Sequence, residues 1–124
     1  VHILLAEDNE LNMEIAEFML QNEGADVTKA WNGREAVEIF RKSEPDEFDV
    51  ILMDIMMPVM NGYEATKMIR SLEREDAKTI PIIAMTANAF TEDRLKAKEA
   101  GMDEHIAKPV DPELLVKVIY ESVD

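Results

Sequence analysis

Five times along the chain a short apolar run gives way to a longer stretch of helical period, and this alternation constrains the fold more than any other feature. The runs are Ile3 to Ala6, Asp26 to Trp31, Val50 to Asp54, Ile82 to Thr86 (opened by Pro81) and His105 to Lys108. Between them Leu11, Ile15, Phe18 and Met19 recur at helical spacing and stop near Gly24. Asn32-Gly33-Arg34-Glu35 reads as a capped helix start, with Ala36, Val37 and Phe40 facing inward. Ala65, Met68, Ile69 and Leu72 mark a third helix, and the polar stretch Glu73 to Thr79 reads as a loop. Thr91 to Ala100 is helical but poorly amphipathic, ending at Gly101. Asp111-Pro112 opens the last helix, whose core-facing residues are Leu114, Leu115, Val118 and Ile119.

Repeated β-α units imply a parallel sheet with helices on both faces, and right-handed crossovers leave few topologies. The expected fold is α/β: a flavodoxin-like, doubly wound, five-stranded parallel sheet in the order 2-1-3-4-5, with five helices. In that order strands 1 and 3 lie side by side, and ligands gather beyond the carboxyl ends of the strands.

The length of 124 residues fits one domain, residues 1–124. The chain opens at Val1 rather than at methionine, as expected of a domain excised from a longer protein. With no cysteine, disulfides and thiolate metal sites are excluded, which is compatible with a cytoplasmic setting. No apolar stretch approaches the roughly 20 residues of a membrane helix, so no membrane contact by this domain is expected. A net charge of −14 repels phosphate backbones and argues against direct nucleic-acid binding.

The topology also gathers chemistry. Glu7 and Asp8 end strand 1, Asp54 ends strand 3, Thr86 ends strand 4 and Lys108 ends strand 5. Neighbouring strands are about 5 Å apart, so the carboxylates converge on one crevice. Two unit charges 4 Å apart repel by roughly 4 kcal/mol at an effective dielectric of 20. Either one acid keeps its proton or a cation sits among them. Hard oxygen donors, few in number, suit Mg²⁺. A carboxylate beside a divalent cation, a lysine and a hydroxyl is equipped to receive a phosphoryl group.

Glu7-Asp8, Asp54 with Met57-Pro58 and Asn61-Gly62, Thr86-Ala87, and Lys108-Pro109 occur in order at these spacings. Together they resemble the receiver domain of two-component response regulators, over essentially the whole chain. Ala6 to Asn9, Met53 to Gly62 and Ala84 to Ala89 look most like receivers of hybrid sensor histidine kinases. The resemblance implies that Asp54 is the phosphoacceptor, taking its group from a histidine kinase or histidine phosphotransfer domain. It implies that Glu7, Asp8 and Asp54 hold Mg²⁺ with the backbone carbonyl of Met56. It implies that Thr86 bonds the phosphoryl oxygens and Lys108 pairs with the group. Thr86 is the expected switch residue together with His105, a histidine where the family often carries Tyr or Phe. Met56 and Asn88 are expected to tune the lifetime of the phosphoryl group. The helix Thr91 to Ala100, strand 5 and the last helix form the expected readout surface. The parent protein is expected to be cytoplasmic, or a membrane-bound sensor kinase with this domain on its cytoplasmic side.

Each residue also has a plainer reading. Asp54 can cap a turn, Asp8 can cap a helix, a role Asn9 fills equally well, and Glu7 can point outward. Thr86 is at home in any strand. His2 and His105 lack ligand spacing and read as structural, and Met56, Met57 and Met60 as packing around a loop. Glu92, Asp93 and Glu99 read as a solvated face. Three rival functions compete. An aspartate-nucleophile phosphohydrolase generally has a second acid two residues after its nucleophile, where this chain has Met56. A flavodoxin-like cofactor binder needs a phosphate-cradling loop, where this chain has Ala6-Glu7-Asp8-Asn9. A pseudo-receiver used only for docking would not require the full set of acids, threonine and lysine.

Overall fold

The computed structural model describes residues 1–87, 91–108 and 110–123, and of residues 91–93 the backbone alone. Five parallel strands, β1 (His2–Ala6), β2 (Asp26–Ala30), β3 (Val50–Asp54), β4 (Ile82–Thr86) and β5 (Glu104–Ala107), form one sheet in the order β2-β1-β3-β4-β5. The expected order and doubly wound α/β fold are therefore present. Three strands shift at their ends: β1 starts one residue earlier, at His2, β2 stops at Ala30, leaving Trp31 beyond it, and β5 starts and ends one residue earlier than the sequence pattern suggests.

The sheet is covered on both faces, because its central strands are apolar on both faces until their carboxyl ends, where Asp54 and Thr86 stand, and must be shielded on both sides. On one face α1 (Glu10–Asn22) and α6 (Pro112–Ser122) bury Met13, Ala16, Leu20, Leu115 and Ile119 against Ile3, Leu5, Leu52, Met85 and Ile106. On the other, α2 (Gly33–Lys42) and α3 (Gly62–Arg70) place Val37, Phe40, Ala65 and Ile69 on Leu4, Ile51, Met53 and Ala84. There α4 (Glu75–Thr79) adds Ala77 and α5 (Thr91–Ala100) adds Ala97. Three helix starts carry asparagine caps: Asn9, Asn32 and Asn61 accept from the N–H groups of Asn12, Glu35 and Glu64.

Six helices are described, not five: the stretch read as a loop holds the short helix α4. Its support is tertiary. The Arg74 guanidinium pairs with Asp76 through both oxygens, donates to the carbonyls of Phe40, Ser43 and Glu44, and lies 4.7 Å over the Phe40 ring. Helix faces also shift. Leu11, Ile15 and Phe18 are exposed, with Phe18 at 69%. The less apolar line Met13, Ala16 and Leu20 meets the sheet instead. Met68 and Leu114 likewise face solvent, and Leu72 follows the end of α3. Glu99 is exposed, as a solvated face requires; the side chains of Glu92 and Asp93 lie outside the described residues.

Candidate functional site

Register brings the site residues level. Ala6 pairs with Met53 across β1 and β3, so Glu7 and Asp54 follow at one height. Asp54 pairs with Met85, and Thr86 one step on pairs with Ala107. Side chains alternate between faces along a strand. Glu7 continues the face of Ile3 and Leu5, Asp54 that of Leu52, and Lys108 that of Ile106, all on the α1/α6 side. Thr86 continues the face of Ala84, on the α2/α3 side. Periodicity alone thus separates an acid-lysine cluster from a hydroxyl at its rim.

Glu7 and Asp54 are almost wholly buried, at 2% and 4% exposure. The plainer reading that Glu7 points outward does not hold. Asp8 is exposed and relieved of capping duty by Asn9. Oxygens of Glu7, Asp8 and Asp54 come within 4.8 Å of one another. Lys108 Nζ lies 2.7 Å from Glu7 Oε1 and 3.0 Å from Asp54 Oδ2. The Lys108 N–H donates to the Thr86 carbonyl at 2.7 Å, tying the end of β5 to the end of β4.

The electrostatics follow from two buried acids sharing one lysine. Burial, then the hydrogen-bonded, charged neighbour Glu7, push Asp54 up to about 7, and Lys108 only partly offsets this. Burial acts on Glu7 in the same direction. Its hydrogen bonds with Asp54 and Lys108 and with the Asn9 N–H, together with the lysine's charge, outweigh it and hold Glu7 below the ordinary glutamate value. Burial disfavours the Lys108 charge, but its two carboxylate partners outweigh that and raise it. Near neutrality the cluster therefore holds Glu7 as an anion, Lys108 as a cation and Asp54 poised between its two forms.

The other candidates lie around this centre. Thr86 is buried at the end of β4. Met56 stands in the loop after Asp54 with its side chain 76% exposed, so it does not pack, whereas Met57 is buried. Half-buried His105 lines a cleft with Arg94, Lys98 and Met102 beside α5, on the Thr86 side of the sheet and away from the acids. His2 is structural, as expected: its ring meets the Thr28 hydroxyl at 2.7 Å and packs on Phe48. Asn88 and Pro109 lie outside the described residues. The sequence reading leaves out Gly33, whose contact with the loop after Asp54 has only the Asn-Gly pair as a signal.

Oxygen donors at these separations fit a small hard cation. Mg²⁺ binds oxygen at about 2.1 Å, so oxygens on one ion stand about 3 to 4 Å apart, a spacing that the 4.8 Å span of the three acids accommodates. The mixed exposure of the set, two acids buried and one open to solvent, suits an ion that keeps several waters.

Comparison with known proteins agrees. Residues 3–120 match the response regulator receiver domain family. The hybrid signal transduction histidine kinase I of Dictyostelium discoideum is 41% identical over 98% of this chain, which spans 7% of that protein. Two-component system protein A of Emericella nidulans is 40% identical over 97% of the chain, which spans 17% of it. Among solved structures, a sensor histidine kinase receiver domain from Pseudomonas aeruginosa has a magnesium ion coordinated in its active site cleft. It superimposes with a TM-score of 0.88 at 38% identity, covering 98% of this chain and 96% of that one. A Saccharomyces cerevisiae receiver, crystallised with a histidine phosphotransfer signalling protein, gives 0.88 at 32% identity, covering 98% and 88%. No described helix is long and apolar enough to cross a membrane. By sequence and by fold, this chain belongs to the response regulator receiver domains of two-component phosphorelays.

Proposed function

We propose that Asp54 is the phosphoacceptor and that Glu7, Asp8, Asp54 and the Met56 carbonyl hold Mg²⁺ during transfer. The observation that carries this reading is the buried Glu7-Asp54-Lys108 cluster with Asp8 at its mouth. The donor is a phosphohistidine on a histidine kinase or histidine phosphotransfer domain. The P–N bond breaks, its electron pair returns to the imidazole nitrogen, and an Asp54 oxygen forms the new P–O bond. Bound Mg²⁺ supplies positive charge that keeps Asp54 ionised and screens the incoming phosphoryl oxygens. Lys108 holds the Asp54 carboxylate in place and then pairs with the phosphoryl group. Thr86, at the rim, bonds a phosphoryl oxygen, and that contact biases a conformational equilibrium. His105 and the cleft beside α5 lie on the Thr86 side and form part of the readout surface. Met56, exposed beside the acceptor, tunes the lifetime of the phosphoryl group by controlling water access, with Asn88 as the second tuning position.

The domain, residues 1–124, is a module of a longer hybrid sensor kinase whose receiver is cytoplasmic. The phosphohydrolase reading is weaker because Met56, two residues after Asp54, has no transferable proton.

Incubation with a small phosphodonor, with and without Mg²⁺, followed by intact mass measurement, tests the reading. The expected result is a single base-labile phosphoryl group that needs Mg²⁺ and is lost in Asp54→Asn. Multiple-turnover phosphate release, or no gain at all, would contradict it.

A further inference from the structure

The loop after Asp54 and the start of α2 approach more closely than any side chain permits. A β-carbon on Gly33 would fall 2.3 Å from the Met60 carbonyl oxygen and 3.0 Å from that of Asn61. Gly33 is not among the positive-φ glycines, so close approach, not backbone conformation, is what requires glycine here. Its N–H, an orphan at the helix start, donates to Met60 O at 3.0 Å. Beyond that bond the loop is tightly closed. The Met60 N–H donates to Pro58 O at 2.7 Å, across Val59 at φ 68°, a three-residue turn that strains a β-branched side chain. The Gly62 N–H donates to Ile55 O at 2.8 Å, closing residues 55–62 into a ring. A β-carbon on Gly62 would stand 2.3 Å from the Asp54 carbonyl oxygen, so the ring lies directly on the acceptor's backbone.

We infer that Gly33 is a positioning residue for metal binding, acting through Met60 to hold the ring that contains Met56. This rests on the reading that the Met56 carbonyl and Asp54 share Mg²⁺. The near side of the ring is fixed by the Asp54–Gly62 contact and the far side by the start of α2. Any side chain at position 33 pushes on Met60, and a ring closed between residues 55 and 62 passes that push to Met56.

The test is calorimetric titration of Mg²⁺ into the whole chain and its Gly33→Ala variant, beside a Gly24→Ala control. Gly24 is a positive-φ glycine (φ +85°) with nothing within 4 Å of its would-be β-carbon, so its substitution strains the fold without touching the loop. Gly33→Ala is expected to bind Mg²⁺ roughly tenfold more weakly, the size seen when a ligand's support is removed. Its phosphorylation rate should recover as Mg²⁺ saturates. Gly24→Ala should lower Tm with Mg²⁺ affinity unchanged. Wild-type affinity in folded Gly33→Ala would overturn the inference alone, whereas a wild-type protein that binds no Mg²⁺ would overturn the metal reading beneath it. If Gly33→Ala does not fold, hydrogen exchange on wild-type protein decides, because coupling is reciprocal. Mg²⁺ saturation should slow exchange at the Gly33 and Gly62 amides, and unchanged rates at both would overturn the inference.

Discussion

Lys108 Nζ donates to Glu7 Oε1 at 2.7 Å, joining residues 101 positions apart at the carboxyl edge of the sheet. The same nitrogen lies 3.0 Å from Asp54, so one lysine serves both buried acids. It occupies the electrostatic place a metal ion would share, and the two cations oppose each other there.

Removing the lysine therefore has two opposite effects. Lys108→Ala should lose roughly 1–3 kcal/mol of stability in chelator, because two buried acceptors lose their donor. It should bind Mg²⁺ at least as tightly as wild type, because a repelling charge is gone. Urea unfolding and calorimetry read the two, and a variant that is unchanged in stability and weaker in Mg²⁺ binding would contradict the arrangement.

Stability without metal should depend on pH in a defined window. Asp54 sits at about 7 in the folded protein against an ordinary 3.8. Between those values the folded state holds a proton that the unfolded chain has released. The Asp54 contribution is thus fully present below about pH 4 and is lost as pH rises through about 7. Glu7, held below its ordinary value, acts only at more acid pH, and Lys108, raised, only at more alkaline pH. In chelator, wild type should lose on the order of 2–4 kcal/mol relative to Asp54→Asn between pH 4 and 8. Stabilisation by Mg²⁺ should be larger at pH 8 than at pH 5. Parallel profiles for the two proteins would show that Asp54 is not poised.

The clasp at α4 should matter for folding alone. Arg74→Ala strands the buried Asp76 and uncaps the end of α2, and is expected to cost roughly 3 kcal/mol by urea unfolding. Mg²⁺ affinity of the folded variant should stay at the wild-type value. A cost below about 0.5 kcal/mol, the range of an ordinary surface change, would contradict the packing described.

The faces of α1 give a sharp contrast. Phe18→Ser should change stability by less than about 0.5 kcal/mol, whereas Leu20→Ala should cost roughly 2–4 kcal/mol. Denaturant titration separates the two, and equal costs would place the helix in the wrong rotation.

Much of this was legible in the sequence. The central strands are apolar on both faces up to their carboxyl ends, which requires cover on both sides; right-handed crossovers then leave few topologies, of which the common doubly wound order is the one observed. In a parallel sheet the carboxyl ends of the strands share one edge, and Glu7, Asp54, Thr86 and Lys108 all stand at those ends in the sequence. What could not be read depended on tertiary choice. Leu11, Ile15 and Phe18 form a more apolar line than Met13, Ala16 and Leu20, yet the sheet takes the second. The helix Glu75–Thr79 has a polar sequence and exists because Arg74 reaches back to α2. Glu7 continues the inward face of Ile3 and Leu5, but the lysine that meets it there, Lys108, is a partner no local pattern reveals. Beyond the Asn-Gly pair Gly33 carries no signal, because its role is an absent β-carbon against a backbone 27 or more residues away in the chain.

The most direct measurement reduces the phosphorylated protein with borohydride, which converts an aspartyl phosphate to homoserine, and maps the product by peptide mass. The expected result is conversion at residue 54 alone, requiring both phosphodonor and Mg²⁺ and lost when Glu7 and Asp8 are both neutralised. Conversion at another acid, or conversion at residue 54 that is indifferent to Mg²⁺ and to those two acids, would contradict the claim that they form one site.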